Sequence, residues 1–235
     1  MPPRDRTYDV LAIGRSSIDL YAHEIGAPMT DVRSFDAYVG GSPTNVSVGT
    51  RRLGLRSALL TAVGDDQVGE FVLAFLERER VVTSFIPRKA GRRTSAVILA
   101  IQPPDRFPLT FYRDNCADIM LTIDDAQAAP IADSRCVFLT GTGLSAEPSR
   151  SATFFAAEQA RQAETTIFVD LDYRAELWHD TRAFGPTLRS LLRLADLAVG
   201  TEEEVRAAGS ADDLDRAIER LLTTGIGALV VKRGE

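Results

Sequence analysis

Short runs of continuous apolar residues alternate along the chain with longer stretches whose apolar positions recur at helical spacing. The runs YDVLAIG (8–14), SALLTAVG (57–64), CVFLTG (136–141), TIFVDLD (166–172), DLAVG (196–200) and ALVVKRG (228–234) are short and bounded by glycine or charge. They predict buried strands. Between them, PTNVSVGTRRLG (43–54), DDQVGEFVLAFLERER (65–80), EPSRSATFFAAEQARQAE (147–164), RAFGPTLRSLLRLA (182–195) and DDLDRAIERLLTTG (212–225) predict helices. Phe71, Phe75 and Leu76 share one helical face, and Gly54 and Gly225 suit helix C-termini. Pro148 stands near a helix start, whereas Pro186 is tolerated or kinks its helix. Apolar strands separated by amphipathic helices predict an α/β fold, a three-layer α/β/α domain around a mainly parallel sheet. Two stretches break the alternation, roughly 16–38 and 90–115. They are β-branched, aromatic and polar without helical period, and read as strands of a small β-sheet lid. Within the second, SAVILAI (95–101) and LTFYR (109–113) are strands joined by the loop QPPDRF (102–107).

Composition narrows the picture only a little. At 235 residues the chain holds one large domain, or one domain with a small appendage. Apolar content of 45% and charged content of 26% are ordinary for a globular chain. A net charge of −6 argues against nucleic acid and anionic membranes as main partners. No apolar run is long enough to span a bilayer, and MPPRDRTYDVLAIG lacks the apolar region of a secretory signal, so a cytoplasmic protein is expected. Cys116 and Cys136 sit in no metal spacing, and a disulfide framework is not expected. Lys89 and Lys232 are the only lysines, so arginine carries nearly all positive charge.

Candidate chemistry begins at VGGSPTNVSVGTRRLG (39–54). Ser42 suits an N-cap and Pro43 a first helical position, while Gly40 and Gly41 allow close backbone approach. The turn is either a tight strand-to-helix corner or a ligand cradle at a helix N-terminus. No G-x-x-x-x-G-K-[ST] phosphate loop occurs. Asn45, an amide on the first helical turn, favours a cradle that reads sugar hydroxyls. Asp19 lies past the first strand, at the edge where open α/β sheets bind ligands. It either caps a turn or accepts from two hydroxyls of a polyol. Asp170, Asp172 and Arg174 emerge from a buried strand into that same edge. They form either a self-satisfied ion network or an arginine aimed at phosphate and held by carboxylates. His23 and His179 have no partner at ligand or triad spacing. Gly141 and Gly143 form a lone G-x-G, and Ser145 lacks a hydrolase elbow.

Together GGSPTN, GTRRLG, AVGDDQVG and VGTEEEV, in that order, resemble the motifs of the ribokinase, or PfkB, family of carbohydrate kinases. Within it, GRSSIDLY, FPLTFYR, TGTGLSAEPSR and DLDYRAELW are most similar to kinases of 5-dehydro-2-deoxygluconate, with 2-keto-3-deoxygluconate kinases close behind. The resemblance implies a ribokinase-like fold with a sugar held between sheet and lid. It further implies transfer of the ATP γ-phosphoryl group to the primary hydroxyl of an acid sugar. Substrate contacts carried over to this chain are Ser17, Asp19, Gly40, Gly41, Asn45, Tyr112, Arg113 and Arg174. Ser17 stands where a ribose-specific member carries asparagine. Arg113 is expected to pair with the substrate carboxylate, and Arg174 to position substrate or phosphate. Asp172, Glu204, Lys232 and Gly234 are assigned to the nucleotide edge. Glu204 would order Mg2+ through water, although Thr201 replaces the asparagine of the family's N-x-x-E. A capped helix start explains TEEE equally well.

The family's G-A-G-D turn, which carries the general-base aspartate and an anion hole, is not in the sequence. The chain is therefore expected to be the N-terminal portion of a single ribokinase-like domain, and inactive alone. A homodimer through the lid is expected. Fructose and 2-keto-3-deoxygluconate are alternative substrates, and a noncatalytic sugar-binding module is the alternative from another class. The central expectation is spatial: Asp19, Asn45, Arg113 and Arg174 should converge on one polyol-sized hollow.

Overall fold

A computed structural model describes residues 5–103 and 107–234. Part of the expected loop 102–107 thus lies outside the described residues, as do the first four residues and Glu235. In chain order the strands are β1 (Tyr8–Ile13), β2 (Ser17–Ala22), β3 (Phe35–Gly40), β4 (Ser57–Leu60), β5 (Val63–Gly64), β6 (Arg88–Lys89), β7 (Ser95–Leu99), β8 (Leu109–Tyr112), β9 (Ser134–Thr140), β10 (Thr166–Asp170), β11 (Leu197–Thr201) and β12 (Ala228–Lys232). Six of them form a parallel sheet in the order β12-β11-β10-β9-β1-β4. A second sheet of four has the order β3-β2-β7-β8, and β5 pairs with β6.

Both faces of the large sheet are covered from β4 to β11, which is why those strands read as apolar runs, whereas the edge strand β12 is left exposed at Ala228, Val230 and Lys232. Successive side chains point to opposite faces. Leu11, Ile13, Val137, Leu139, Ile167 and Val169 therefore join one core with Ala156, Leu188, Leu191 and Val205 from the helices. Ala12, Leu59 and Phe138 join the other, with Val48, Val72 and Leu76. The helices Ser42–Arg52 and Gln67–Arg78 cover this second face. Burying one such leucine or valine contributes about 1.5–3 kcal/mol before chain entropy is counted.

The helices lie close to their predicted places. Pro186 falls in the first turn of Phe184–Leu192, where its missing N–H has no carbonyl to meet, so the helix is not broken there. The sequence reading overlooked a short helix, Ile123–Ala128, capped reciprocally by Thr122 and Asp125 and tied down by Lys89, whose Nζ lies 2.5 Å from Asp125 Oδ2. Both cysteines are free thiols, and burial pushes each up to about 11, so neither is poised as a thiolate nucleophile. No helix among the described residues is long and apolar enough to cross a membrane.

From β1 the chain runs first to β4 on one side and only later to β9 on the other. Such a reversal leaves a crevice beyond the strands' C-terminal ends, where α/β sheets bind ligands. The small sheet, entered directly from β1 through β2, stands over that crevice.

Candidate active site

A hollow of about 430 Å³ opens there, within the size range of small-molecule sites. Its floor comes from the ends of the parallel strands: Arg15 after β1, Asp170, Asp172 and Arg174 at and after β10, Glu204 after β11, and Lys232 ending β12. Its wall is the helix start at Gly41, Ser42 and Asn45, and its roof is Val97, Leu99, Leu109 and Phe111 of the small sheet. Asp19 on β2 looks in from the junction.

The glycine pair explains itself in space. Gly41 has φ of 105°, and a Cβ there would lie 2.3 Å from the Arg15 carbonyl oxygen. A Cβ on Gly40 would lie 1.8 Å from Asp19 Oδ2, so only glycine leaves that carboxylate in place. Ser42 does not cap its helix. Gly41 occupies the cap position without a side-chain bond, and Ser42 Oγ instead donates to Asp170 Oδ2 at 2.5 Å. Pro43 brings no N–H to this first turn, and the Asn45 N–H donates to the Gly41 carbonyl at 2.9 Å. Asn45 is exposed on the rim of the hollow.

Asp19 accepts from Ser17 Oγ at 2.7 Å, and Ser17 Oγ accepts from Arg15 Nη1 at 2.9 Å. Ser17 itself is fully buried behind Asp19, so its contact is with these neighbours. Burial pushes the Asp19 carboxyl up, against the Ser17 bond and the Arg15 charge. Burial also pushes Asp170 up, and the charges of Asp172 and Glu204 add to it while Lys232 opposes. Asp170 Oδ1 is buried with no hydrogen-bond partner.

Arg174 is held by carboxylates and still reaches the hollow, with its side chain 38% exposed. Its Nη2 lies 3.2 Å from Asp172 Oδ1, and its Nη1 lies 3.9 Å from Glu204 Oε1. Asp172 is buried at φ of 36°, and its Oδ2 accepts from Thr142. Tyr173 and Trp178 pack on the wholly buried ring of Phe184, at 4.5 and 5.4 Å, and so anchor the loop that carries Arg174. Glu204 divides its oxygens. Oε2 accepts from the Thr201 N–H at 2.7 Å in a capping box, which leaves Oε1 toward Arg174 and the hollow. The TEEE motif is therefore both a helix cap and part of the crevice.

Arg113 does not converge with the others. It is buried at the edge of a neighbouring hollow, where Asp118 receives its Nε and Nη2 at 2.7 and 2.6 Å. Its Nη1 is taken by Thr142 O and Ser145 Oγ. Tyr112 is exposed on the opposite side of β8 from Phe111, because neighbours on a strand alternate in direction. Gly234, at φ of 73°, lies beyond Lys232 and outside the lining. Arg15 and Phe111 are lining residues that the sequence reading passed over. The signal for Arg15 was its place directly after the glycine ending β1, the same edge that marked Asp19. Phe111 needed the register of β8 against β7, which pairs it with Val97.

Among the described residues no cluster of three or more histidine, cysteine or carboxylate side chains is built to cage a metal ion. A hydrated Mg2+ keeps several waters and asks for only one or two carboxylates. The unpartnered Asp170 Oδ1 and the uncapped Glu204 Oε1 fit that modest demand.

Comparison with known proteins agrees with this geometry. The profile described as pfkB family carbohydrate kinase matches residues 8–235. A 5-dehydro-2-deoxygluconokinase of Geobacillus kaustophilus is 33% identical over 237 residues, covering 99% of this chain and 71% of that protein. One from Bacillus anthracis is 35% identical over 201 residues, and the match spans 85% of this chain but 60% of the relative's length. Among solved structures, Halothermothrix orenii fructokinase superimposes with a TM-score of 0.85 at 27% identity, over 97% of this chain and 80% of that one. An uncharacterized sugar kinase of Pyrococcus horikoshii in complex with ATP gives 0.79 at 28% identity, over 86% and 66%. With the family profile matched across nearly its whole length, the chain belongs to the PfkB family of carbohydrate kinases.

Proposed function

We infer that the full-length protein is an ATP-dependent kinase acting on the primary hydroxyl of an acid sugar, with 5-dehydro-2-deoxygluconate the favoured substrate. One observation carries this reading. A single hollow holds hydroxyl-reading groups, Asp19 and Asn45, and beside them the phosphate-suited cations Arg174 and Lys232. Relatives named 5-dehydro-2-deoxygluconokinase, at about a third identity, support the substrate. Fructose is the neutral rival, supported by fructokinases among the structural neighbours.

The geometry supports the following roles. Asp19 accepts from two sugar hydroxyls, while Gly40 leaves room for its carboxylate and Gly41 lets the helix start pack on the Arg15 carbonyl. Arg174, braced by Asp172 and Glu204, draws a γ-phosphoryl oxygen toward the acceptor, and Lys232 faces the nucleotide. Phosphoryl transfer depends chiefly on such positioning and charge. Mg2+, near Asp170 Oδ1 and Glu204 Oε1, would supply neutralisation of phosphate charge. The attacking hydroxyl oxygen bonds to the γ-phosphorus as the bond to the ADP oxygen breaks, and its proton leaves to a base. No G-A-G-D aspartate is present in these 235 residues, so this stretch alone should bind sugar and turn over little. Use of ATP as donor supports the expected cytoplasmic location. Exposed Phe35, Tyr38 and Tyr112 on the small sheet suit a lid-to-lid homodimer, which sedimentation of the full-length protein would reveal.

A coupled assay of the full-length protein across 5-dehydro-2-deoxygluconate, 2-keto-3-deoxygluconate and fructose tests the reading. Phosphorylation of the first at the highest kcat/KM is expected. Preference for fructose overturns the acid substrate, and sugar binding without any turnover indicates a noncatalytic module.

A further inference from the structure

The described residues bury three arginines, and two of them are satisfied. Arg6 donates to the carbonyls of Ala132, Ser134 and Ala163 and to Thr165 Oγ1. Arg113 fills its fork with Asp118, Thr142 and Ser145. Arg15 differs. At 7% exposure it makes one hydrogen bond, from Nη1 to Ser17 Oγ, and its Nε is buried without a partner. Among the described residues no carboxylate oxygen comes within the 4.0 Å of an ion pair. Its guanidinium carbon lies 5.3 Å from the centroid of the Phe111 ring, so one face is stacked while the edge lines the hollow.

This is an expensive arrangement for a free protein. Burial pushes the Arg15 guanidinium down, and the nearby Arg113 pushes it further, while Asp172, Asp118 and Asp19 oppose from longer range. A buried charge is normally paired and hydrogen-bonded. The chain leaves this one unpaired where a ligand would sit.

Its position along the sheet fixes which end of the ligand it meets. Arg15 follows β1, two strands from β10 and four from β12. At the spacing of hydrogen-bonded strands β1 lies about 10 Å from β10, whose following loop carries Arg174, and about 19 Å from β12, which ends on Lys232. The phosphate-suited cations thus occupy one end and Arg15 the other. We propose that Arg15 is the specificity residue of this site, receiving the carboxylate of an acid-sugar substrate on its unfilled guanidinium edge with Phe111 packed against its face. The relay from Arg15 through Ser17 to Asp19 then couples the carboxylate-reading cation to the hydroxyl-reading carboxylate. An arginine fork matches a carboxylate bidentately, and a neutral sugar alcohol at the same place leaves the cation unpaired. This rests on the reading of the hollow as the sugar site, and transfers to Arg15 the role that sequence assigned to Arg113.

The test uses the full-length protein with Arg15→Met, Arg15→Lys and Arg113→Met. Two quantities are measured: kcat/KM for 5-dehydro-2-deoxygluconate and for fructose, and the melting temperature without ligand. Arg15→Met should lose about 10- to 100-fold on the acid sugar, mainly through KM, with a far smaller change on fructose. Arg15→Lys should recover part of the loss. The ligand-free Arg15→Met protein should melt no lower than wild type, because the removed cation had no carboxylate partner and methionine keeps the packing on Phe111, whereas Arg113→Met should melt lower. Equal losses on both sugars, an unchanged acid-sugar KM, or a marked fall in melting temperature for Arg15→Met would overturn the assignment while leaving the kinase reading intact. A wild-type protein that phosphorylates only neutral sugars, or none, overturns the acid-sugar reading itself and this assignment with it.

Discussion

At the scale of single residues, the crevice is governed by what is kept out of it. Gly40 gives the clearest case, since any Cβ there collides with the Asp19 carboxylate. Gly40→Ala should displace Asp19 and weaken sugar binding by about 10-fold or more, measured by calorimetry, with the fold retained. Asp19 itself should show the reverse of a stabilising salt bridge. Its folded-state affinity for a proton is raised by burial, so its contribution to stability is present at low pH and is lost as pH rises through the folded pKa. At neutral pH Asp19→Asn should therefore raise the melting temperature while impairing sugar binding. A lower melting temperature at pH 7 would show that the Ser17 and Arg15 contacts outweigh burial.

Elements were legible where local pattern and long-range packing agree. The inner strands of the parallel sheet announce themselves because both of their faces are covered, and the long helices because one stripe is apolar. The helix Ile123–Ala128 escaped because only Ala126 of its six residues is buried, which leaves no periodicity to detect. Ser42 was misread as a cap because its true partner, Asp170, lies 128 residues away. The orientation of Tyr112 needed the pairing of β7 with β8, which spacing alone does not supply, and Arg113 is drawn out of the crevice by Asp118, Thr142 and Ser145, contacts that its position after β8 does not announce. Asp66 illustrates a device that joins elements. It caps the helix Gln67–Arg78 through the Gly69 N–H and receives the Thr94 N–H and hydroxyl at the foot of β7. Burial works against its ionised form, but these bonds outweigh it and hold the carboxyl below its usual range. Its contribution is thus complete at neutral pH and lost as pH falls through that lowered pKa. Asp66→Ala should cost about 2 kcal/mol in urea unfolding at pH 7, and less at pH 3.

For the whole molecule, the two ends of the parallel sheet divide the work. The C-terminal ends carry the crevice with its raised carboxyls and unpaired cation. The opposite end is closed by Arg6, which ties the chain before β1 to the starts of β9 and β10. Arg6→Met should cost about 3 kcal/mol by leaving buried carbonyls unpaired, with sugar affinity unchanged in the protein that remains folded. We propose that the crevice between the two sheets is one substrate site, with sugar against Asp19 and Asn45 and phosphate against Arg174. A crystal structure of the full-length protein with 5-dehydro-2-deoxygluconate and a nonhydrolysable ATP analogue tests it directly. The sugar should be lodged between Asp19, Asn45 and Phe111, its primary hydroxyl directed toward Arg174 and the γ-phosphate. Sugar bound elsewhere, or a crevice filled by protein side chains when both ligands are present, would contradict it.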